Sequence, residues 1–352
     1  MRYLVVGSGA VGGYLGGRLA LAGQPVAVVA RPAQIDNLRQ TGLTLFEGDR
    51  ADRLPSVPAD VDLAAACLRF DPQAILLAVK AYALDAVLEP LRRLPRPCPP
   101  VVCFLNGLGN EERLSEALGA GQVIAATLTT AVQVTEPGAI HVERVRGVGL
   151  HAGHPLASQL LAEFEQAGLR PQGFPDAARM KWSKVLTNLV SNAISAIVGW
   201  TPAQVYAHPG LFRLEGEALR ETLRVMERKA IPVVNLPGVR TRWFARVVGW
   251  PPRISRPLLS RIVASGRGDK LPSFVADLAR RRSEVEWLNG AVARQAEAVG
   301  QAAPANRLLC DVLLALIARS EDPLDYRHRP ERLLQRASAA GIPGCAGYNP
   351  PR

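Results

Sequence analysis

The segment "KWSKVLTNLVSN", residues 181–192, places Lys184, Asn188 and Asn192 at four-residue intervals. An ammonium group can stabilise developing negative charge and supply a proton, while amides can fix the polar groups of a small ligand. Projected on a continuous helix at about 100° per residue, Thr187, Asn188, Ser191, Asn192 and Ser195 share the sector of Lys184, and Lys181 lies in the same arc. Val185, Leu186, Leu189, Val190, Ala193, Ile194, Ala196 and Ile197 fill the remainder. Residues 185–198 contain no charged side chain, whereas a solvated helix face carries Glu, Lys and Arg. Amides and hydroxyls beside one lysine suit a lined cavity, in which polar groups need partners. An amphipathic surface helix is the competing reading, and spacing alone does not separate Lys181 from Lys184.

A second helical segment, "PSFVADLARRRSEVEWLNG" (272–290), offers counterparts. Ser273 follows Pro272 and suits a helix cap. Glu284 lies four residues after Arg280, the spacing of a surface ion pair. Arithmetic leaves Glu284 and Glu286 equally open as an acidic partner for the lysine.

A nucleotide site is written near the chain start. In "VVGSGAVGGYLG", Gly7, Gly9 and Gly12 form GxGxxG after a β-rich run and before a helical one, with Ser8, Ala10 and Val11 completing the turn. The first glycine permits the tight turn and the second lets backbone approach a pyrophosphate. The third allows close helix–strand packing, with the helix N-terminus facing the phosphates. The second strand ends "VVAR" with Arg31 and no carboxylate before Asp36. A ribose 2′-hydroxyl calls for Asp or Glu there and a 2′-phosphate for a cation, so the expected cofactor is NADP(H). Lys80 after "AILLAV" and Asn106 after "VVCFL" fall where doubly wound sheets deliver ligand contacts, although an Asn-Gly turn is also ordinary loop chemistry.

The elements that must position these residues follow from hydrophobic rhythm. "YLVVG", "PVAVVAR", "AILLAVK", "PVVCFLN" and "QVIAATLT" read as buried strands separated by crossover helices, predicting a parallel, doubly wound α/β sheet. "TEPGAIHVE" (135–143) and "VRGVGLHA" (145–152) read as a closing hairpin. From about 176 the pattern is helical, giving an expected Rossmann-type domain over 1–175 and a helical substrate domain over 176–352. Within the latter, 237–270 carries eight Lys/Arg against Asp269 alone, with Trp243, Phe244 and Trp250 interleaved. Such a stretch suits nucleic acid or a membrane surface, or a helical insertion with its aromatics packed inward.

With 352 residues, 48% hydrophobic and 21% charged, the chain reads as globular. A net charge of +11 favours anionic ligands. Five scattered cysteines with no CxxC pair point to a reducing compartment without disulfides or a zinc site. Seven glycines within the first 23 residues interrupt any signal-peptide core, and there is no long apolar run, so a soluble cytoplasmic protein is expected.

"VVGSGAVGGYLG", "AVKAY", "LNGLGNEERL", "KWSKVLTNLVSN" and "SEVEWLNG" together resemble the 2-dehydropantoate 2-reductases, or ketopantoate reductases, in the family's order and over roughly residues 1–320. "TEPGAIHV" and "PANRLL" are also similar to family elements. The resemblance implies NADPH-dependent reduction of a small 2-oxo acid, 2-dehydropantoate, toward pantothenate and coenzyme A. It assigns the general acid to Lys184, the substrate amides to Asn188 and Asn192, and the glutamate five residues before Asn289-Gly290 to Glu284. Ser273 matches the substrate-binding serine, and Lys80 and Asn106 match cleft positions. The Ser273–Glu284 spacing is slightly short, and Pro202 stands where the family can carry another asparagine. A paralogous reductase of another 2-oxo acid and a non-catalytic NADP(H) sensor are the alternatives. Neither nucleic acid nor membrane is expected as a partner, and a homodimer is allowed for.

Overall fold

The computed structural model describes residues 1–94, 98–266 and 271–345. Two compact units are present: Met1–Lys181 with Asn235–Val239, and Trp182–Val234 with Arg240–Arg352.

The first unit contains strands β1 (Tyr3–Val6), β2 (Val26–Val29), β3 (Leu43–Glu47), β4 (Arg50–Leu54), β5 (Ala59–Asp60), β6 (Ala74–Leu77), β7 (Val101–Cys103), β8 (Val123–Leu128), β9 (Ala131–Glu136), β10 (Ala139–Arg144), β11 (Val148–His151) and β12 (Pro171–Phe174). Its helices are α1 (Ala10–Leu21), α2 (Pro32–Gln40), α3 (Leu63–Phe70), α4 (Leu84–Arg92), α5 (Asn110–Leu118) and α6 (Ala157–Gln166), and it also holds the start of α7 (Ala177–Asn188).

Eight strands form one sheet in the order β12-β11-β8-β7-β6-β1-β2-β5. From β5 to β8 all pairings are parallel, and the arrangement is the 3-2-1-4-5-6 order of a dinucleotide-binding fold. Strands β1, β6 and β7 are buried throughout, as a sheet covered on both faces requires. Their apolar runs made this part readable from sequence. The sheet is nevertheless mixed, because β11 runs antiparallel to β8.

The expected closing hairpin is divided differently. β9 and β10 form the hairpin, whereas β11 joins the large sheet. The hairpin pairs through β10 with β3, and β3 pairs with β4, building a second sheet of order β4-β3-β10-β9. The sequence predicts a crossover helix between the second and third predicted strands, and the structure places α2 and α3 there with β3, β4 and β5 between them. Short half-buried strands such as β4, whose residues are largely exposed, carry too little apolar alternation to register.

The second sheet explains the excess of glycine in α1. A Cβ on Gly16 would lie 3.1 Å from Val5 of the large sheet, and Gly12 also meets Val5. On the opposite face, a Cβ on Gly13 would sit 2.8 Å from Ile140 and one on Gly17 2.9 Å from Leu43. The two i,i+4 glycine pairs thus let α1 lie tightly between two sheets.

The second unit is helical: the remainder of α7, then α8 (Asn192–Val198), α9 (Pro202–Ala207), α10 (Pro209–Arg228), α11 (Thr241–Val248), α12 (Pro252–Gly266), α13 (Ser273–Ala279), α14 (Asn289–Ala298), α15 (Pro304–Ala318) and α16 (Pro330–Ala339). Glu221 on α10 caps α15, accepting from the amides of Ala305 at 2.8 Å and Asn306 at 2.9 Å. Such side-chain acceptors satisfy the orphan donors of a helix start. Pro202 has a local reason: it is the first residue of α9, behind a Thr201–Gln204 capping box.

The basic segment is not one insertion. Its start belongs to the first unit, where Thr129 Oγ1 donates to Pro237 O at 2.8 Å. Its remainder forms α11 and α12, and residues 267–270, including Asp269, lie outside the described residues. Val247, Val248, Leu259 and Val263 point inward, whereas Trp243 and Trp250 remain 39% and 42% exposed. The expectation that its aromatics pack inward is therefore corrected: aliphatic residues supply the packing. Among the described residues, no helix is long and apolar enough to cross a membrane.

Candidate functional site

In the first unit, the β1–α1 turn has the geometry of a phosphate loop. Gly7 has φ +107°, and a Cβ there would meet the Ala78 backbone at 3.0 Å. At Gly12 an added Cβ would run into the carbonyl oxygen of Gly7, which excludes any larger residue. Gly9 has nothing within 4 Å of its ideal Cβ position and caps α1 with no side-chain acceptor for the helix N–H groups. Open space beside unsatisfied donors fits an anionic ligand. Ser8, Ala10 and Val11 are half-buried around it. α1 has no acidic residue in its first turn, so this loop fits a dinucleotide's pyrophosphate.

Arg31 is exposed at the N-cap of α2, and Asp36 lies a turn further along. Sequence reading missed Gln34. Its Oε1 accepts from Ser8 Oγ at 2.9 Å and from Arg31 Nε at 3.5 Å, tying the glycine loop to the arginine. A polar residue three positions after Arg31, on the facing turn of the next helix, was the available signal.

Lys80 and Asn106 both follow strands of this unit. Lys80 caps a short 3-10 turn, Ala81–Ala83. Asn106 is half-buried in a turn whose Gly107 and Gly109 adopt φ +88° and +90°. Asn110 Nδ2 donates to Asn106 O at 2.8 Å.

Lys181 also belongs to this unit. Its side chain is 6% exposed, and Nζ lies 2.7 Å from Glu111 Oε1 and donates to Leu105 O at 2.6 Å. Burial works against its charge, but the Glu111 carboxylate outweighs that, and the net effect holds its pKa above the ordinary lysine value. The ammonium is committed to this protein-internal partnership.

The second unit carries the remaining candidates. Lys184 is half-buried on α7, three residues beyond Lys181, and Asn188 ends that helix. The projected continuous helix over 184–197 is corrected, because 189–191 break it and Ser191 adopts φ +57°. The break is held locally: the Ser191 N–H donates to Glu215 Oε2 at 2.8 Å, and the Asn192 amide donates to Asn188 O. Asn188, Ser191, Asn192 and Ser195 are all buried. The solvated-face reading of these four residues therefore fails, although the break means that they do not lie on one continuous helical wheel. Glu215, buried on α10, was missed because nothing in "LFRLEGEALRE" distinguishes it from a surface acid.

The segment 272–290 is three elements, not one helix: α13, a short 3-10 turn Val285–Trp287, and α14. Arg281 at φ +56° follows α13 and ends its course. Glu284 is only 2% exposed while Glu286 is exposed, so the structure separates what spacing could not. The i,i+4 surface pair with Arg280 is excluded, since Glu284 is neither helical nor at the surface. Ser273 is exposed and makes no capping bond; Pro272 occupies the N-cap, which corrects the cap reading. α13 packs against α8, which begins at Asn192. Asn289 Nδ2 donates to Asn306 Oδ1 at 3.0 Å, giving the Asn-Gly pair a structural anchor in α15.

Among the described residues, no group of His, Cys, Asp and Glu could hold a metal ion. All five cysteines are free thiols.

With a Rossmann-type turn in one unit and an amide-lined helix break in the other, two family models cover most of the chain. "Ketopantoate reductase PanE/ApbA" matches residues 3–151 and "Ketopantoate reductase PanE/ApbA C terminal" matches residues 176–316. The chain belongs to the ketopantoate reductase family. The 2-dehydropantoate 2-reductase of Halobacterium salinarum is 29% identical over 329 residues, spanning 89% of this chain and 98% of that one. The enzyme of the same name from Pyrococcus horikoshii is 26% identical over 315 residues, 88% of this chain and 95% of its own. A ketopantoate reductase of this family from Ralstonia eutropha superposes with a TM-score of 0.77 at 24% identity, covering 91% of this chain and 99% of that one. D-mandelate dehydrogenase, solved with NADH and anilino(oxo)acetate, shares the fold at TM-score 0.75 and 18% identity over 91% of this chain and 99% of its own. At the family level the chain is an NADP(H)-dependent 2-oxo-acid reductase.

Proposed function

We propose that this reductase converts 2-dehydropantoate to pantoate, with Lys184 as general acid. The observation that supports the reading is the burial of Asn188 and Asn192, one and two turns after Lys184 in sequence, together with the burial of Glu284. Bound NADPH would supply a hydride to the substrate's 2-oxo carbon. Negative charge then develops on the 2-oxo oxygen, where the Lys184 ammonium stabilises it and delivers the proton. Asn188 and Asn192 hold the substrate's hydroxyl and carboxylate so that its carbonyl faces the donor. Glu284 orients the ammonium and accepts from the substrate hydroxyl, a role its burial supports. Ser273 adds a substrate contact from the start of α13. Lys80 and Asn106 line the cofactor and substrate cleft, and Arg31 takes the 2′-phosphate of NADPH.

Steady-state oxidation of NADPH in the presence of 2-dehydropantoate tests the reading, with NADH as the comparison cofactor. Turnover with NADPH and a clear preference over NADH are expected. A second reading, reduction of a different 2-oxo acid, is favoured by the exposed Ser273 and its short spacing to Glu284. A panel of 2-oxo acids bearing aryl or alkyl groups in place of the hydroxymethyl arm decides between them by kcat/KM.

A further inference from the structure

We propose that Lys181 is a positioning residue: through Leu105 O and Glu111 it fixes the turn that presents Asn106. The proposal rests on Asn106 lining the site, as assigned above. Gly107 and Gly109 bracket this turn in the left-handed region, and glycine leaves a turn soft unless something else restrains it. Here both carbonyls flanking the Asn106 Cα are held by side chains. Lys181 Nζ donates to Leu105 O at 2.6 Å, and Asn110 Nδ2 donates to Asn106 O at 2.8 Å. Lys181 Nζ also lies 3.5 Å from Ala126 O on β8, linking the turn to the sheet. The far end of the turn is tied by the ion pair to Glu111, in the first turn of α5. Asn110 is fully buried and Lys181 nearly so, so water does not compete for these bonds.

An apolar pair of similar volume stabilises a fold as well as a buried ion pair does, and commonly better. The charges are therefore explained by what they hold in place. Cys103, fully buried nearby, feels the same pair, and burial pushes its thiol well above the ordinary range, so it offers no competing chemistry. Lys181 is part of α7, and Lys184 follows one turn along the same helix.

The test uses the full-length chain and the variant K181M/E111L, which removes both charges without stranding either. It should fold with a melting temperature close to wild type, whereas K181M alone strands Glu111 and unfolds more readily. The expected result is a loss in kcat/KM for the 2-oxo acid of about ten- to hundredfold. In an N106A background the same double change should cost less than about twofold, because coupled residues are not additive. Amide hydrogen exchange at 106–110 should rise in K181M/E111L, and this readout requires no substrate. Wild-type kcat/KM in the folded variant overturns the proposal, as does a loss equally large with and without Asn106. If the wild-type enzyme turns over no 2-oxo acid, the functional reading fails by itself. In that case, unchanged exchange at 106–110 still overturns the role of Lys181, and faster exchange upholds it.

Discussion

Two chain breaks, one in each unit, solve similar problems by opposite means. At the β1–α1 turn, backbone is brought to the ligand by removing side chains: Gly7 adopts φ +107° and Gly9 leaves open space. At the α7–α8 break, Ser191 adopts φ +57° with a side chain present, and Glu215 and the Asn192–Asn188 bond hold it there. A non-glycine residue in that region carries a cost of about 1–2 kcal/mol, which the surrounding bonds must offset. The first device serves any dinucleotide, because only phosphate and backbone meet. The second buries Asn188, Ser191 and Asn192, and on the function proposed above it is this break that sets the amides for the substrate.

The sharpest way to break this comparison is K184A. Turnover should fall by about 10²–10⁴-fold while NADPH affinity, read by fluorescence titration, stays at the wild-type level. Near-wild-type turnover would sink the assignment and return Lys184 to the role of a cavity-lining side chain.

Within the glycine turn, G12A and G9A should separate packing from ligand approach. The Gly12 Cβ meets the Gly7 carbonyl, so G12A should lower the melting temperature by several degrees, an overpacking cost of about 1–3 kcal/mol. G9A meets nothing and should melt as the wild type does, while NADPH binding weakens because the approach space is filled. Equal melting temperatures for the two variants would contradict the packing account.

R31A sharpens the cofactor side. Losing a charge-assisted contact should raise the Kd for NADPH by about 10–100-fold and leave that for NADH unchanged. Parallel losses for both cofactors would remove Arg31 from the 2′-phosphate.

The smallest effect concerns His208, outside both breaks. It caps α10 by accepting from the Leu211 N–H at 3.2 Å, which needs a neutral ring. Burial holds its pKa below the ordinary histidine value. The depressed pKa means that the unfolded chain takes up a proton first as pH falls below about 6.5. Its stabilising contribution is present above that pH and is lost progressively below it. H208N should keep the cap and flatten this part of the stability–pH profile; an unchanged slope would assign it to other groups.

Legibility followed burial and period. The parallel strands β1, β2, β6, β7 and β8 were visible as short, unbroken apolar runs, and the GxGxxG turn by its glycines. The second sheet was not, because β4 is largely exposed and pairs only with β3, while β3, buried at Leu43 and Leu45, finds its other partner, β10, far along the chain. Gly13, Gly16 and Gly17 were on the page, but their purpose depends on Ile140, Leu43 and Val5, which no local window contains. The polar set on α7 and α8 was recognised, although residues 189–191 in the middle of its assumed helix are not helical. Gln34 and Glu215 escaped because their partners, Ser8 and Ser191, are brought to them only by folding.

By itself, the sequence determined the nucleotide turn, the absence of a carboxylate beside Arg31, and a lysine accompanied by uncharged amides. These are properties of residue type and short spacing, which local sterics and charge dictate. Spacing left Lys181 and Lys184, and Glu284 and Glu286, undivided; the family resemblance chose Lys184 and Glu284, and only the tertiary structure gave a physical difference within each pair. The members of each pair are chemically identical and sit within a few residues of each other. What differs is the company each keeps: Glu111 and Leu105 O surround one lysine, and burial takes one glutamate out of water while the other stays at the surface.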